Sequence, residues 1–275
     1  MSLKSVTPHE LLEDQYPGSS KTIVEFRKKI LHLCSKEMEH ICKTVFIEGE
    51  IGVGKSHLAR VIAALREVRE NKQLGFQKEL KTYHANFREI ITPSGEGALI
   101  DSEIFGHVKG AFTGADKEKP AIFENSSNKP DINTVFFDEI GRASNLTQTK
   151  LLGVYGSKLY KKVGGSDTHE TKALFISASN QNLANLVIEK SFLEELKSRL
   201  GIVLRVPPLR ENPELIKTSL CELVKKSTRK VEEKDMVWAE TYSWPWNRRQ
   251  IETAMQNYAF HTDKSFRECV EMSGP

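Results

Sequence analysis

The chain is poor in cysteine and in net charge, and each shortage excludes a class of protein. Of its 275 residues 4 are cysteines, which form no C-x-x-C pair and lie beside no histidine cluster. Buried or incidental thiols in a reducing cytosol are therefore favoured over a disulfide framework or a zinc site. A formal net charge of +3 is too small to argue for a nucleic-acid-binding protein.

Long apolar runs are also missing. No run reaches the length of a membrane span, and the polar N-terminus does not have the form of a signal peptide. With 39% hydrophobic and 28% charged residues, the composition is that of a globular protein, long enough for one large α/β domain and a small satellite domain. We therefore expect a cytoplasmic protein with no membrane partner.

A glycine-rich segment is the most informative part of the chain. It fits the pattern G-x-x-x-x-G-K-[ST] with Gly49, Glu50, Ile51, Gly52, Val53, Gly54, Lys55 and Ser56. The glycines let backbone N–H groups curl around phosphate oxygens, the lysine faces the β- and γ-phosphates, and the serine hydroxyl can ligate Mg²⁺. We predict that this segment, with the adjacent His57, binds a nucleoside triphosphate.

Strands alternate with helices up to residue 206, which favours a mostly parallel sheet with helices on both faces. The pattern predicts strands at 44–48, 80–85, 134–138, 173–178 and 202–206, and helices at about 23–39, 56–67, 146–155 and 192–200. Beyond Pro207-Pro208 the pattern is helical, with a break at Trp244-Pro245. We predict a linker or disordered arm at 1–20, an α/β nucleotide-binding subdomain at 21–207 and an α-helical lid subdomain at 208–275.

Two carboxylates follow a predicted buried strand. Asp138 and Glu139 come directly after Val135-Phe136-Phe137, at the strand end where open α/β sheets place their ligands. Asp138 would share Mg²⁺ with Ser56, partly through water, and Glu139 would polarise the attacking water. Without the phosphate-binding segment, a strand end capped by charge would explain the pair equally well.

A further predicted strand ends in Ser179-Asn180. The Asn180 side chain could sense a γ-phosphate or hold the attacking water, or it could close an Asx-type turn, since Asn180-Gln181-Asn182 favours turns. Spacing alone leaves these alternatives open.

Another segment points to a family. Residues 110–115 match the GAFTGA signature with Gly110, Ala111, Phe112, Thr113, Gly114 and Ala115. The chain thus resembles the bacterial enhancer-binding proteins, AAA+ ATPases that activate sigma-54 RNA polymerase. The resemblance spans about residues 20–258 and includes 137–141, 150–152, 163–165, 207–211 and Trp244-Pro245. At 105–109 and in the phosphate-binding segment it is most similar to regulators of the RNA 3′-terminal phosphate cyclase operon.

The signature segment also has a physical interpretation of its own. Its glycines favour a mobile loop and leave Phe112 poorly placed for a core. An exposed aromatic on such a loop could contact a partner, or the segment could be a plain surface turn. The resemblance implies that residues 110–115 grip sigma-54 and move with the nucleotide cycle.

The resemblance implies three further roles. Asn86 matches the asparagine that holds the glutamate at position 139 until the γ-phosphate is sensed. Arg199 matches an arginine finger that reaches the nucleotide of the neighbouring subunit, and Arg249 matches the lid arginine that contacts bound nucleotide. Apart from the resemblance, each arginine would be interpreted as part of a surface salt bridge.

The chain departs from the family pattern at several positions. Leu193 stands where the family has a second arginine after Phe192, which puts the hydrolysis rate in doubt. Trp246 replaces a usual glycine, so we expect a different turn before the lid helix. The phosphate-binding segment ends in Ser56 rather than glutamate. Nothing after Tyr258 has the form of the family's DNA-binding helix-turn-helix, so DNA contact would need a domain that this chain does not contain.

The resemblance implies an α/β AAA+ P-loop NTPase with a helical lid that uses ATP and Mg²⁺. It implies a homo-oligomeric ring, a hexamer or heptamer, that remodels sigma-54 RNA polymerase holoenzyme to activate transcription. Two alternatives remain. One is a nucleotide-dependent binding switch with weak hydrolysis, favoured by Leu193. The other is an AAA+ remodeller of an unrelated target.

Overall fold

We analysed a computed structural model of the chain, which describes residues 7–70, 87–91, 98–124, 134–227 and 229–274. The helices are α1 (Pro8–Gln15), α2 (Lys21–Leu33), α3 (Lys36–Ile41), α4 (Lys55–Glu70), α5 (Ala98–Phe105), α6 (Asn145–Ser157), α7 (Leu183–Ile188), α8 (Glu194–Arg199), α9 (Pro213–Lys226), α10 (Glu233–Thr241), α11 (Asn247–Phe260) and α12 (Phe266–Glu271). The strands are β1 (Thr44–Glu48), β2 (Phe87–Ile91), β3 (Thr134–Asp138), β4 (Leu159–Tyr160), β5 (His169–Glu170), β6 (Leu174–Ser179) and β7 (Ile202–Arg205).

The described residues divide into two units. The first unit consists of residues 33–48 and 56–204. The second consists of residues 7–32, 49–55 and 205–274, so it contains the C-terminal helices and also the glycine loop and the N-terminal helices. The residue ranges of these units therefore do not coincide with those of the three predicted segments, each of which was continuous in sequence. Among the described residues, no helix combines the length and apolar character that crossing a membrane requires.

The sheet of the first unit explains where a ligand site can form. Among the described residues, five of its strands lie in the order β2-β3-β6-β1-β7, with parallel pairing of β2 with β3, β3 with β6, and β6 with β1. After β1 the chain forms β2, β3 and β6, which all lie on one side of β1. It then crosses to form β7 on the other side, so the strand order reverses beside β1. In open α/β sheets, ligands bind at the carboxyl ends of the strands at such a switch point.

An aromatic core fixes these strands in register. The buried rings of Tyr155 and Phe175 stack with centroids 5.3 Å apart, and Phe137 lies 6.1 Å from each of them. The Tyr155 hydroxyl is hydrogen-bonded to the buried Ser177 hydroxyl on β6. Burial raises the pKa of Tyr155 well above its ordinary value, so the phenol stays neutral and the core contains no charge there.

The predicted α/β class is confirmed, with small shifts at the element ends. Strands β1 and β3 have the predicted bounds, while β6 is displaced by one residue and β7 ends one residue early. The predicted strand at 80–85 lies outside the described residues. The helix predicted at about 23–39 is two helices, α2 and α3, because the extended Ser35 (ψ 162°) interrupts the helix as the N-cap of α3.

The N-terminal segment differs from the prediction of a linker or disordered arm. Residues 8–15 form α1, which has a capping box: the Thr7 side chain accepts from the Glu10 N–H, and the Glu10 side chain accepts from the Thr7 N–H. Pro8 occupies the first helical turn, where its missing N–H is not needed. Leu11 and Leu12 are buried, which anchors the helix in the second unit.

The C-terminal helices enclose a core around Trp244. This side chain is fully buried, and its indole N–H donates to the Ala239 carbonyl oxygen over 2.8 Å. Trp244 has φ 45° and Asn247 has φ 52°, both in the left-handed region. The helical pattern breaks here as predicted, and the exposed Trp246 lies in the turn between them.

Candidate functional site

The glycine loop folds back on its own lysine. Gly52 and Gly54 have φ 71° and 97°, values that favour glycine. The Lys55 ammonium group donates to the carbonyl oxygens of Gly49 and Glu50 over 3.0 and 3.1 Å, and Lys55 is only 6% exposed. The loop thus holds a buried cation at its centre, which suits the predicted binding of an anionic ligand.

Close packing also explains why residue 52 is a glycine. A Cβ atom there would lie 2.2 Å from the Trp246 carbonyl oxygen and 2.9 Å from the Arg249 Cβ. The Arg248 N–H donates to the Gly52 carbonyl oxygen over 3.2 Å. The loop and the start of α11 are therefore in direct contact. Arg249 is exposed, and within the described residues its guanidinium has no ion pair or hydrogen bond.

The Glu50 side chain has protein partners. Its carboxylate accepts from the Arg210 guanidinium over 2.9 and 2.7 Å and from the Asn247 amide over 3.1 Å. The Arg210 hydrogen bonds hold the pKa of Glu50 below its ordinary value, so the carboxylate remains charged. Of the residues predicted to bind nucleotide, Glu50 could therefore contact phosphate through its backbone, while its carboxylate is occupied.

The start of α4 and the end of β3 meet within the first unit. The Ser56 hydroxyl donates to the Asp138 Oδ2 over 3.2 Å, and the Glu139 N–H donates to the Asp138 Oδ1 over 3.0 Å. A hydroxyl and a carboxylate at this separation are the oxygen ligands that Mg²⁺ prefers. Among the described residues, no group of three or more His, Cys, Asp or Glu side chains could hold a metal.

Glu139 is held by the end of β6. The Asn180 backbone N–H donates to Glu139 Oε2 over 3.3 Å, and the Asn180 side-chain amide donates to Glu139 Oε1. Glu139 has φ 54°, a left-handed conformation that is uncommon outside glycine. Gly141 permits the close approach, since a Cβ there would lie 2.8 Å from the Ser179 hydroxyl.

The 179–182 segment contains both a turn and a contact with Glu139. Asn182 accepts from the N–H groups of Ala184 and Asn185 as the N-cap of α7. The turn contacts come from Asn182 and from Ser179, whose hydroxyl accepts from the Gln181 N–H over 3.0 Å, while the Asn180 amide contacts the carboxylate of Glu139. A sensing role for Asn180 remains a prediction. Asn86, the other predicted partner of Glu139, lies outside the described residues.

The predicted finger arginine contacts its own chain. The Arg199 guanidinium donates to the Leu152 carbonyl oxygen over 2.8 Å and forms an ion pair with Glu195 one turn earlier in α8. Gly156 makes room for it, because a Cβ there would lie 2.4 Å from the Arg199 Nη1. Leu193, at the predicted position of a missing second arginine, is half-buried against the core of the first unit.

The signature loop is ordered around a histidine. Phe112 was predicted as an exposed aromatic, but it is half-buried, with its ring edge-on to His107 at a centroid distance of 5.0 Å. His107 Nδ1 lies 2.6 Å from the Ser102 hydroxyl, and Nε2 lies 2.9 Å from the Lys117 carbonyl oxygen. A carbonyl can only accept, so Nε2 carries a hydrogen, and in the neutral imidazole Nδ1 accepts from the serine hydroxyl.

Gly110 and Gly114 in the signature loop are explained by their backbone conformation and not by close packing. Gly110 and Gly114 have φ 81° and 94°, and a Cβ on either would meet no atom within 4 Å. The base of the loop is more crowded, because a Cβ on Gly164 would lie 2.7 Å from the Ala111 Cβ. This contact between the loop and residues 163–165 was not predicted, although their glycine pair was a signal for close backbone approach.

Fold and site together define the class of protein. A mostly parallel sheet whose strands end in a glycine loop, an acidic pair and a polar asparagine is an AAA+ P-loop NTPase fold. The structure of NtrX from Brucella abortus shares it with a TM-score of 0.69 and 23% identity, covering 89% of this chain and 50% of that protein. Hsp104 shares it with a TM-score of 0.58 and 17% identity, covering 93% and 48%.

Sequence comparison then gives the family. Residues 17–205 match the sigma-54 interaction domain, and the chain belongs to this family, the AAA+ domain of sigma-54-dependent activators. Its curated relatives include the DNA-binding transcriptional regulator NtrC of Bradyrhizobium sp. (strain RP501 Parasponia), 32% identical over 249 residues, which are 88% of this chain and 47% of that protein.

The Nif-specific regulatory protein of Azotobacter vinelandii is 31% identical over 240 residues, which are 84% of this chain and 42% of that protein. The chain thus spans less than half the length of these two relatives. The closer likeness to regulators of the RNA 3′-terminal phosphate cyclase operon remains a prediction.

Proposed function

We propose that the chain is an ATP-hydrolysing AAA+ domain that remodels sigma-54 RNA polymerase holoenzyme to activate transcription. The observation that carries this proposal is the combination, within one sigma-54 interaction domain, of a phosphate loop, an acidic pair and the GAFTGA signature. Relatives named as transcriptional activators support it, among them the formate hydrogenlyase transcriptional activator FhlA of Escherichia coli (strain K12).

In this proposal residues 49–57 bind the triphosphate of ATP, and Arg249 contacts the nucleotide from α11. NtrX structures in complex with ADP and with ATP support nucleotide binding. Ser56 and Asp138 would hold Mg²⁺, which would supply charge neutralisation for the phosphates. Glu139 orients and polarises the attacking water as general base. Asn180 fixes the orientation of the Glu139 carboxylate, with Asn86 as its second proposed partner.

The signature loop is the proposed contact with sigma-54. Phe112 packs on His107 in the isolated chain, so partner binding would exchange that ring contact for one with the sigma factor. Arg199 is the proposed finger for the nucleotide of a neighbouring subunit in a homo-oligomeric ring of six or seven copies. Its contacts with Leu152 and Glu195 would have to open for it to reach across.

One observation favours a weaker enzyme as a second candidate. Leu193 packs against the core where the family has an arginine, and Arg199 is tied to its own helix. A nucleotide-dependent binding switch with slow hydrolysis would fit both facts. It differs from the first candidate in turnover and not in partner.

The test separates partner binding from ATP hydrolysis. Phe112→Ala shortens the proposed contact residue, and Lys117→Ala, in the same loop region, is the matched control because only the Lys117 backbone is used. The chain would be trapped with ADP and aluminium fluoride and mixed with purified sigma-54, and retention would be measured by gel filtration. We expect wild type and Lys117→Ala to retain sigma-54 and Phe112→Ala to lose it.

Hydrolysis and melting temperature serve as the internal check. Hydrolysis should be nearly unchanged in Phe112→Ala, and the melting temperature should fall only slightly, since the lost ring contact with His107 is worth on the order of 1 kcal/mol. Equal retention by wild type and Phe112→Ala would refute the role of the loop. A wild type that hydrolyses ATP but retains no sigma-54 would favour an AAA+ remodeller of another target.

A further inference from the structure

A carboxylate in a phosphate-binding loop needs an explanation. Glu50 is the second residue of the loop, and its charge has the same sign as the phosphates that the loop is proposed to bind. Repulsion between the Glu50 carboxylate and a nearby phosphate would disfavour binding, by an amount that depends on their separation and on the local dielectric constant. Either the carboxylate serves another purpose, or its charge is compensated.

The compensating charge is Arg210. Its guanidinium makes two hydrogen bonds with the Glu50 carboxylate, 2.9 and 2.7 Å long, in the bidentate arrangement that suits this pair. The two side chains are 44% and 41% exposed, so solvent screens the pair partly. Such pairs contribute little to stability when they are this exposed. A role in folding is therefore a weak reason for the pair.

Asn247 holds the pair in place. It is fully buried, and its amide donates to the Glu50 carboxylate over 3.1 Å and to the Ile51 carbonyl oxygen over 3.0 Å. Its Oδ1 accepts from the Leu209 N–H over 2.7 Å, next to Arg210 in sequence. One side chain thus joins the loop to the segment that carries Arg210. These contacts hold the backbone next to Arg210 beside the loop, in addition to the ion pair.

We propose that Arg210 is a positioning residue for nucleotide binding, which neutralises and orients the Glu50 carboxylate so that the loop can accept a polyphosphate. This rests on the proposed function, because it assumes that the loop binds nucleotide. Arg210 is not itself a phosphate ligand here, since its guanidinium is engaged with Glu50. The more highly charged ATP depends on this neutralisation more than ADP does.

An electrostatic role and a packing role of the pair predict different directions of change in nucleotide affinity when Glu50 is substituted. If the pair only stabilises the loop, breaking it from either side weakens nucleotide binding. If Arg210 neutralises Glu50, then Arg210→Ala exposes a negative charge and weakens binding, whereas Glu50→Gln removes that charge and strengthens it. In the double variant no charge remains, and the affinity returns toward the wild-type value.

The experiment measures dissociation constants of Mg-ATP and Mg-ADP by titration calorimetry at low ionic strength. We expect Arg210→Ala to weaken Mg-ATP binding about tenfold, the scale of two unit charges roughly 8 Å apart at an effective dielectric constant of about 30. Glu50→Gln should strengthen it severalfold, and all these effects should shrink at high salt. The exposed Lys234→Ala, on α10, removes one positive charge elsewhere and is the matched control.

The outcomes are separable. Melting curves of each variant without nucleotide show whether the fold is retained. The double variant combines both substitutions, and its affinity for nucleotide is expected to return toward the wild-type value. Weaker binding in both single variants, without recovery in the double variant, would overturn the proposal and leave a packing role. Absence of nucleotide binding in the wild type would instead overturn the proposed function.

Discussion

At the scale of single residues, the site depends on a few unusual backbone conformations. Glu139 adopts the left-handed region, which is unfavourable by roughly 1 kcal/mol for a residue with a side chain. Such outliers persist where surrounding contacts determine them and are concentrated at functional sites. The contacts here are the two hydrogen bonds from Asn180 and the close approach at Gly141.

Glu139→Gln tests the role of this carboxylate. The amide keeps the shape and an acceptor for Asn180 but cannot polarise water as a base. We expect retained ATP binding and hydrolysis reduced at least ~100-fold, the scale of a lost general base. Phosphate release and the shift of melting temperature by Mg-ATP are the two measurements. Glu170→Gln, exposed on β5, is the control, and near-normal turnover in Glu139→Gln would place the base elsewhere.

At the scale of elements, local sequence patterns predicted the bounds of a segment well where one or both of its faces are buried. Strands β1 and β3 consist of apolar runs buried by the sheet and its helices, so periodicity and composition found their bounds. Helix α1 was missed although Thr7, Pro8 and Glu10 form a capping box with a proline in the first turn. The density of proline and glycine around it outweighed that signal.

Other features could not be predicted from local sequence. The partner of Glu50 is Arg210, 160 residues away, and no local pattern indicates such a pairing. The strands β4 and β5 have two residues each, too short for any periodicity. The ring contact between Phe112 and His107 depends on how the loop closes. Residue patterns predicted the phosphate-binding segment, the acidic pair and Asn180, and the family resemblance implied the roles of Asn86 and the two arginines. Neither predicted the three-dimensional contacts, which depend on tertiary packing.

The order of the signature loop gives a prediction at this scale. His107 links α5 to both arms of the loop through Ser102, Lys117 and the Phe112 ring. His107→Ala removes all three contacts, so the loop should open more often while the sheet stays intact. Trypsin should then cleave after Lys109 and Lys117 several times faster than in wild type.

Cleavage sites and rates would be followed by mass spectrometry. Ser166→Ala, exposed in the segment between β4 and β5, is the control for an unrelated loop change. Unchanged cleavage at both lysines in His107→Ala would mean that the histidine does not hold the loop.

At the scale of the whole molecule, the question is whether one chain contains a complete catalytic site. Arg199 is bound to Leu152 and Glu195 of its own chain, and Leu193 supplies no second charge. In the proposed ring, Arg199 of a neighbouring copy would stabilise the charge of the transferred phosphoryl group once its contacts with Leu152 and Glu195 open. Activity should depend on assembly.

Turnover per subunit measured against protein concentration tests this dependence. We expect turnover to rise as copies assemble and Arg199→Ala to flatten the curve, with a loss of roughly 10³-fold, the lower range for arginine fingers. Lys197→Ala, exposed on the same helix, is the charge-matched control. Leu193→Arg should accelerate hydrolysis if the missing arginine limits the rate. Turnover that depends neither on concentration nor on Arg199 would indicate a monomeric ATPase, because a finger that acts between copies cannot function in an isolated chain.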